Sequence, residues 1–276
     1  MTDPFPARLH LILARDTPKA IVFRRGPSKS VCTILWERNR DRFSVGQWLR
    51  GRIYERRADI SPDGKYLIYF AMNGKWNSET GGSWTAISRT PWLKAIALFG
   101  KGDCWHGGGL FTGNKTYWLN DGYGHKKMQV SSEVTGDEDY QPDLYGGECP
   151  GVYYPRLLRD GWELTKCDRV EKWHEIVTFE KQLPKGWILK KLAHGQIGSP
   201  EGKGCYWDEH RLENINSKIE LIYPHWEWAD IDNKKLIYAE RGCLYRCSVK
   251  NQRELSQPKL IYDFNPLKFE PIRAPY

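Results

Sequence analysis

An all-β fold is predicted by three observations. Thirteen Trp, fifteen Tyr and nine Phe against three Met make the 276-residue chain rich in side chains that suit a pleated surface. Apolar residues at helical spacing are scarce, while 26 Gly and 16 Pro punctuate the whole length as turn signals. The third observation is a near-copy. ADISPDGKYLIY at 58–69 returns as ADIDNKKLIY at 229–238, each an apolar run, a tight turn and a second apolar run rich in Ile and Tyr. Two antiparallel strands joined by a short turn have this pattern.

In chain order, the same hairpin rhythm is expected in LHLILARDTPKAIVFRR with a turn at Asp16, then at Asp63, in GGLFTGNKTYWLN at Asn114, in YYPRLLRDGWELTK at Asp160 and in the late copy at Asp232. The turns are spaced by 47, 51, 46 and 72 residues. A period near the first three accommodates four short strands, which is the size of a propeller blade that buries its faces only against its neighbours. Further strands are expected in VCTILWERN and FSVGQWLRGRI, in SWTAISRT and WLKAIALFG, in HKKMQVSSE, in HEIVTFEK and GWILKKLAH, and in CLYRCSVK and PKLIYDFN. The expectation is a single β-propeller domain over 1–276 with four-stranded antiparallel blades at 8–54, 55–103, 104–149, 150–224 and 225–265, and a tail at 266–276. Residues 195–224 fill the long gap either as an insertion in the fourth of five blades or as a sixth, degenerate blade.

The stretch SPDGKYLIY at 61–69 resembles the signature hairpin of the TolB-type and WD-repeat-like bacterial β-propellers, in which a Ser-Pro-Asp-Gly-Lys turn joins two strands of a blade. The likeness is strong over 58–70, partial over 229–240, and elsewhere rests on the turn and strand rhythm. It implies an architecture and leaves activity open, because propellers host unrelated functions.

The N-terminal run LHLIL is too short, and lacks the basic leader and cleavage site, for a secretion signal. No stretch approaches the roughly 18 uninterrupted apolar residues of a membrane-spanning helix. Seven scattered cysteines suit reduced thiols better than a disulfide framework. A cytoplasmic protein with no membrane association is expected.

Catalytic and cofactor spacings are not found. No Gly-x-Ser-x-Gly elbow occurs, and GSPEGKG at 198–204 has neither the glycine spacing nor the Ser or Thr of a phosphate loop. Cys243 and Cys247 lie on one face of a strand about 13 Å apart at about 3.3 Å per residue, too far to share a zinc ion. Cys104, His106, His174 and His210 lack a ligand frame, and the acidic loop GDEDYQPD (Asp137, Glu138, Asp139, Asp143) lacks the order of a calcium loop. No metal, cofactor or catalytic residue is therefore assigned. A glycoside-processing enzyme, the alternative, would draw on Asp59, Asp230, Glu227 and the cluster Asp208, Glu209 and His210. Asp59 and Asp230 occupy equivalent repeat positions, which favours a structural task for both.

The most uneven segment is WERNRDRFSVGQWLRGRIYERR at 36–57, with seven arginines in a chain of net charge +8. In extended backbone, alternation would place Arg38, Arg40 and Arg42, and Arg50 and Arg52, on one face beside Trp48 and Tyr54. Arg, Trp and Tyr are the residue types most enriched in binding hot spots. Interleaved Glu37, Asp41, Glu55 and Asp59 lower the field that phosphate binding requires, so an acidic protein partner is expected ahead of nucleic acid. The functional expectation is a non-enzymatic protein-binding propeller, for example an immunity protein that covers a bacterial toxin.

Overall fold

The computed structural model describes residues 5–26, 29–122, 124–143 and 145–276, and divides into two compact units. One comprises His10–Arg156 with Leu267–Tyr276, the other Leu157–Pro266 with Pro6–Leu9. The fold is β-rich: five sheets and one α-helix among the described residues. Among the described residues, no helix is long and apolar enough to cross a membrane.

The first sheet, which apart from Arg8 and Leu9 belongs to the first unit, runs in chain order through β1 (Arg8–Leu13), β2 (Lys19–Arg25), β3 (Ser30–Glu37) and β4 (Arg42–Arg50). The second sheet comprises β5 (Arg52–Ile60), β6 (Tyr66–Met72), β7 (Ser83–Arg89) and β8 (Ala95–Gly100). Short strands β9 (Gly109–Phe111) and β10 (Thr116–Leu119) begin the third. Ile12, Ile21, Phe23 and Val31 pack against Ile53, Ile60, Leu67 and Tyr69 as one buried layer; Ile68, Ile87 and Phe99 pack with Phe111 and Val134 as the next. These runs are apolar at nearly every position because both faces of β2 and β6 are covered.

The three turns predicted in this unit meet. Asp16 N–H donates to the Pro62 carbonyl at 3.0 Å, and Asp63 N–H donates to Asn114 Oδ1 at 3.0 Å. In the SPDGK turn, Ser61 Oγ accepts the N–H groups of Lys65 and Tyr66, and Asp63 Oδ1 accepts the Ser61 hydroxyl and the Lys65 N–H. Gly64 supplies the required φ of 72°.

Two expectations are corrected in this region. The four-strand rule fails for the third sheet, which among the described residues has β9, β10 and β12 (Thr135–Gly136), with β10 and β12 parallel. HKKMQVSSE, expected in that sheet, instead supplies β11 (Lys126–Gln129), which adds to the second sheet beside β8. The glycine-rich, polar segment between Cys104 and Pro142 leaves apolar runs too short to build four strands of its own.

The predicted hairpin at Asp160 is also absent. YYPRLLR belongs to helix α1 (Cys149–Arg159), whose Val152, Tyr153, Arg156 and Leu157 are buried at helical spacing. Beyond it, in the second unit, β13 (Glu163–Glu171), β14 (His174–Gln182), β15 (Trp187–Gln196), β16 (Tyr206–Asn214) and β17 (Ile219–Tyr223) form a five-stranded antiparallel sheet. Residues 195–224 thus extend the fourth sheet, where β16 pairs with β15 over nine residue pairs from Trp187↔Asn214 to Gly195↔Tyr206.

The fifth sheet has β18 (Trp226–Asp232), β19 (Lys235–Glu240), β20 (Cys243–Cys247) and β21 (Lys259–Asp263). The opening repeat is reproduced strand for strand, since Asp59↔Ile68 and Ile60↔Leu67 match Asp230↔Ile237 and Ile231↔Leu236. The turns differ. Asn233 and Lys234 both have positive φ, 49° and 62°, a two-residue turn of the kind that follows strand twist and prefers Gly at its second position. Lys234→Gly is therefore expected to stabilise the fold by about 0.5–1 kcal/mol, read as a higher urea midpoint; a lower midpoint would contradict the strain argument.

Candidate partner-binding surface

The arginine-rich segment does not form one row. Arg38 and Arg40 lie in the β3–β4 turn, where Asp41 has φ 48°. A bulge follows, because Ile34 pairs with Val45 but Cys32 with Trp48. The extra residue reverses the alternation, so Trp48 and Arg50 share a face of β4 with Phe43 and Val45, while Arg42 points to the opposite face. Gly51 then separates the sheets, and Arg52 and Tyr54 belong to β5.

Arg38 is a structural tie. Its guanidinium donates to the carbonyls of Ala14, Thr17 and Lys19, at 2.9, 2.7 and 3.1 Å, and so closes the β1–β2 turn. Arg40, Arg42, Arg50 and Arg52 are exposed, and none makes an ion pair among the described residues.

The bulge assembles a cation and aromatic ladder. Arg24 lies over the Trp48 ring at 5.4 Å, Trp48 packs on Phe269 with centroids 5.9 Å apart, and Arg50 covers Phe269 at 4.7 Å. Arg52 covers Tyr54 at 4.5 Å. Phe269 reaches the ladder because residues 267–276 run back along β4, held by Gln47 Nε2 donating to the Ile272 carbonyl and by the Tyr276 hydroxyl donating to the Lys94 carbonyl. Sequence reading found Trp48, Arg50, Arg52 and Tyr54 but missed Arg24 and Phe269, which lie outside the basic stretch; only the Pro-Leu-Lys-Phe composition of the tail hints at packing.

Three of the segment's acidic residues, Glu55, Asp59 and Asp41, are engaged by other partners. Glu55 is buried and pairs with Arg25 and Arg56 through Oε1, at 3.2 and 3.4 Å. Burial alone would raise its carboxyl, yet the Arg25 and Arg56 charges outweigh that and hold it below the usual carboxylate range. Asp59 accepts the Phe111 N–H at 2.7 Å. Asp41 accepts the Trp36 indole N–H at 3.3 Å.

Below the surface, Arg57 donates to the carbonyls of Cys104 and His106 at 2.7 and 2.6 Å and lies over Tyr54 and Phe70. Arg156 of α1 donates to the Glu55 and Ala58 carbonyls and meets His10 Nε2 at 3.1 Å.

Asp59, Asp230, Glu227 and Glu209, four of the carboxylates considered for glycoside chemistry, make contacts within the fold. Asp230 accepts from Lys181 Nζ at 2.8 Å and from the Trp162 indole, and Glu227 Oε2 accepts the Leu9 N–H at 2.6 Å. Asp208 and His210 face the buried side of β16, where Lys191 Nζ lies 3.3 Å from His210 Nε2; Glu209 faces the other way and pairs with Arg211 at 2.8 Å. The expected trio is thus split across the two faces of a strand. All seven cysteines are free, and among the described residues no group of three or more His, Cys, Asp or Glu is placed to hold a metal ion. No protein-family model matches the chain, and no characterised protein matches it in sequence.

Proposed function

We propose that the chain is a non-enzymatic binding protein that docks an acidic protein partner on the ladder Arg24, Trp48, Phe269 and Arg50 with Arg52 and Tyr54 beside it. The observation that carries this reading is the exposure of Arg50 and Arg52 on aromatic rings, while Glu55 and Asp59 are buried and engaged by other partners. A guanidinium pinned on a ring has already lost much of its rotamer freedom, so less ordering entropy remains to be spent on contact. Stacking also leaves its N–H fork free at the edge for a carboxylate.

The scaffold we propose is a β-propeller whose blades are the five sheets. Its support is the consecutive order of strands within the first, fourth and fifth sheets, the shared register of the two Ala-Asp-Ile repeats, and the hydrogen bonds joining the Asp16, Asp63 and Asn114 turns. In its most specific form the reading is an immunity-type protein in the cytoplasm, occluding a toxin with a preformed surface.

The test compares the wild-type chain with an Arg50→Glu, Arg52→Glu, Phe269→Ala variant for capture of a soluble acidic protein from the source cells. Wild-type capture and an association rate lowered about tenfold or more in the variant are expected at low salt. Undiminished capture by a folded variant would remove the surface from consideration. Retention on nucleic acid with a steep salt slope would replace the partner class.

A further inference from the structure

A second site lies apart from the ladder, where the β6–β7 loop overhangs the second sheet. Asn73, Ser78, Glu79, Thr80, Trp84 and Leu98 line an open cavity of about 420 Å³. That volume is within the roughly 300–1,000 Å³ range of small-ligand sites. Its floor is apolar, formed by the Trp84 indole of β7 and Leu98 of β8. The walls carry an amide, two hydroxyls and a carboxylate, with no lysine or arginine in the lining.

The loop is braced before any ligand arrives. Asn73 N–H and Gly74 N–H both donate to the Gly82 carbonyl, Ser78 N–H donates to the Lys75 carbonyl, and Gly81 N–H donates to the Ser78 carbonyl. The Asn73 side-chain oxygen accepts the Lys75 N–H, which directs the amide NH₂ away from that bond as a donor. Ser78 and Thr80 hydroxyls lie 3.2 Å apart, and Gly82 N–H donates to Ser78 Oγ. Glu79 makes no ion pair or hydrogen bond among the described residues. On the same loop Trp76 packs its indole over Gly82 and remains 55% exposed.

We propose that this cavity binds a neutral sugar through one pyranose ring. A pyranose has an apolar C–H face that suits an indole, and a rim of hydroxyls, each both donor and acceptor. The lining answers both halves: Trp84 and Leu98 take the face, the Asn73 amide donates, Glu79 accepts from two neighbouring hydroxyls, and Thr80 does either. A phosphate or carboxylate ligand would meet the Glu79 charge with no compensating cation.

The experiment is titration of the full chain with glucose, galactose, mannose, N-acetylglucosamine, maltose and cellobiose, followed by tryptophan fluorescence and ligand-observed NMR, with choline as a cationic control. Saturable binding of at least one sugar is expected. Losing the charged acceptor in Glu79→Gln should weaken it about tenfold or more. Trp84→Ala should abolish it, with thermal unfolding measured in parallel. Glu79 is exposed and supports no fold contact, so its variant remains informative even if Trp84→Ala does not fold. Three results would overturn the assignment: no saturation by any sugar, binding that Glu79→Gln leaves unchanged, or binding of choline alone.

Discussion

Replacing Glu55 with Gln is expected to cost about 3–5 kcal/mol of folding stability, because one partner of a buried ionic cluster disappears while its counter-charges remain. Arg25 and Arg56 both converge on Glu55 Oε1, and Glu55 is nearly solvent-free. Gln preserves the side-chain volume, so the loss reports charge and not cavity formation. The pH dependence has a definite sign. A carboxyl held below its usual value contributes stability that is complete above about 4.5 and disappears as pH falls through the lowered value. Urea unfolding at pH 7 should therefore show the full deficit, and the gap between wild type and variant should narrow as pH falls below about 4.5. In a cycle with Arg25→Met, the double variant should lose less than the sum of the single losses. A deficit below about 1 kcal/mol at pH 7 would mean that solvent reaches the cluster and screens it.

The second large effect is an acid transition in the other unit. His194 of β15 stacks on Trp207 with ring centroids 3.6 Å apart and meets His174 Nε2 through its Nδ1 at 2.9 Å, with its side chain 5% exposed. Burial lowers it to about 4; the Glu209 carboxylate, 3.7 Å away, opposes that shift only in part, and His174 adds to it. A histidine whose folded value lies below its unfolded value of about 6.5 favours the neutral form in the native state. The unfolded chain then binds the extra proton, so stability falls as pH drops from 6.5 towards 4 and levels off below that. Linkage gives a loss of about 3 kcal/mol over that window. His194→Phe keeps the ring stack and removes the titration, so its stability should be flat from pH 6.5 to 4 apart from other groups. His106 and His125, both also lowered chiefly by burial, lie in the first unit and add to the remaining slope. An unchanged slope in His194→Phe would refute the assignment to this ring.

Most strands were legible because apolar runs of four to eight residues between turn residues have few other solutions. Asp59 and Asp230 were even placed at equivalent registers, since the repeat fixes both strand and partner. Helix α1 was not, for a physical reason. Val152, Tyr153 and Tyr154 have high strand propensity and Pro155 argues against a helix interior, so local preference pointed one way. Burial of Val152 with Arg156 and Tyr153 with Leu157, four residues apart, outweighed it. The surface failed differently. Alternation of Arg38, Arg40 and Arg42 presumes extended backbone, and neither the positive φ of Asp41 nor the bulge before Trp48 has a strong local signature. Phe269 joined the ladder over more than two hundred residues of intervening chain, beyond any spacing rule.

The outer strand β13 has consequences of its own. From Thr165 to Glu171 nearly every side chain faces water on both sides of the strand, and among the described residues its far edge has no neighbour in the sheet. Alternating Lys166, Asp168 and Arg169 discourage another chain from adding there. Because little apolar packing depends on these positions, they form a natural writing surface: an epitope, a fluorophore or a protease site could be installed at 165–171 with small thermodynamic penalty.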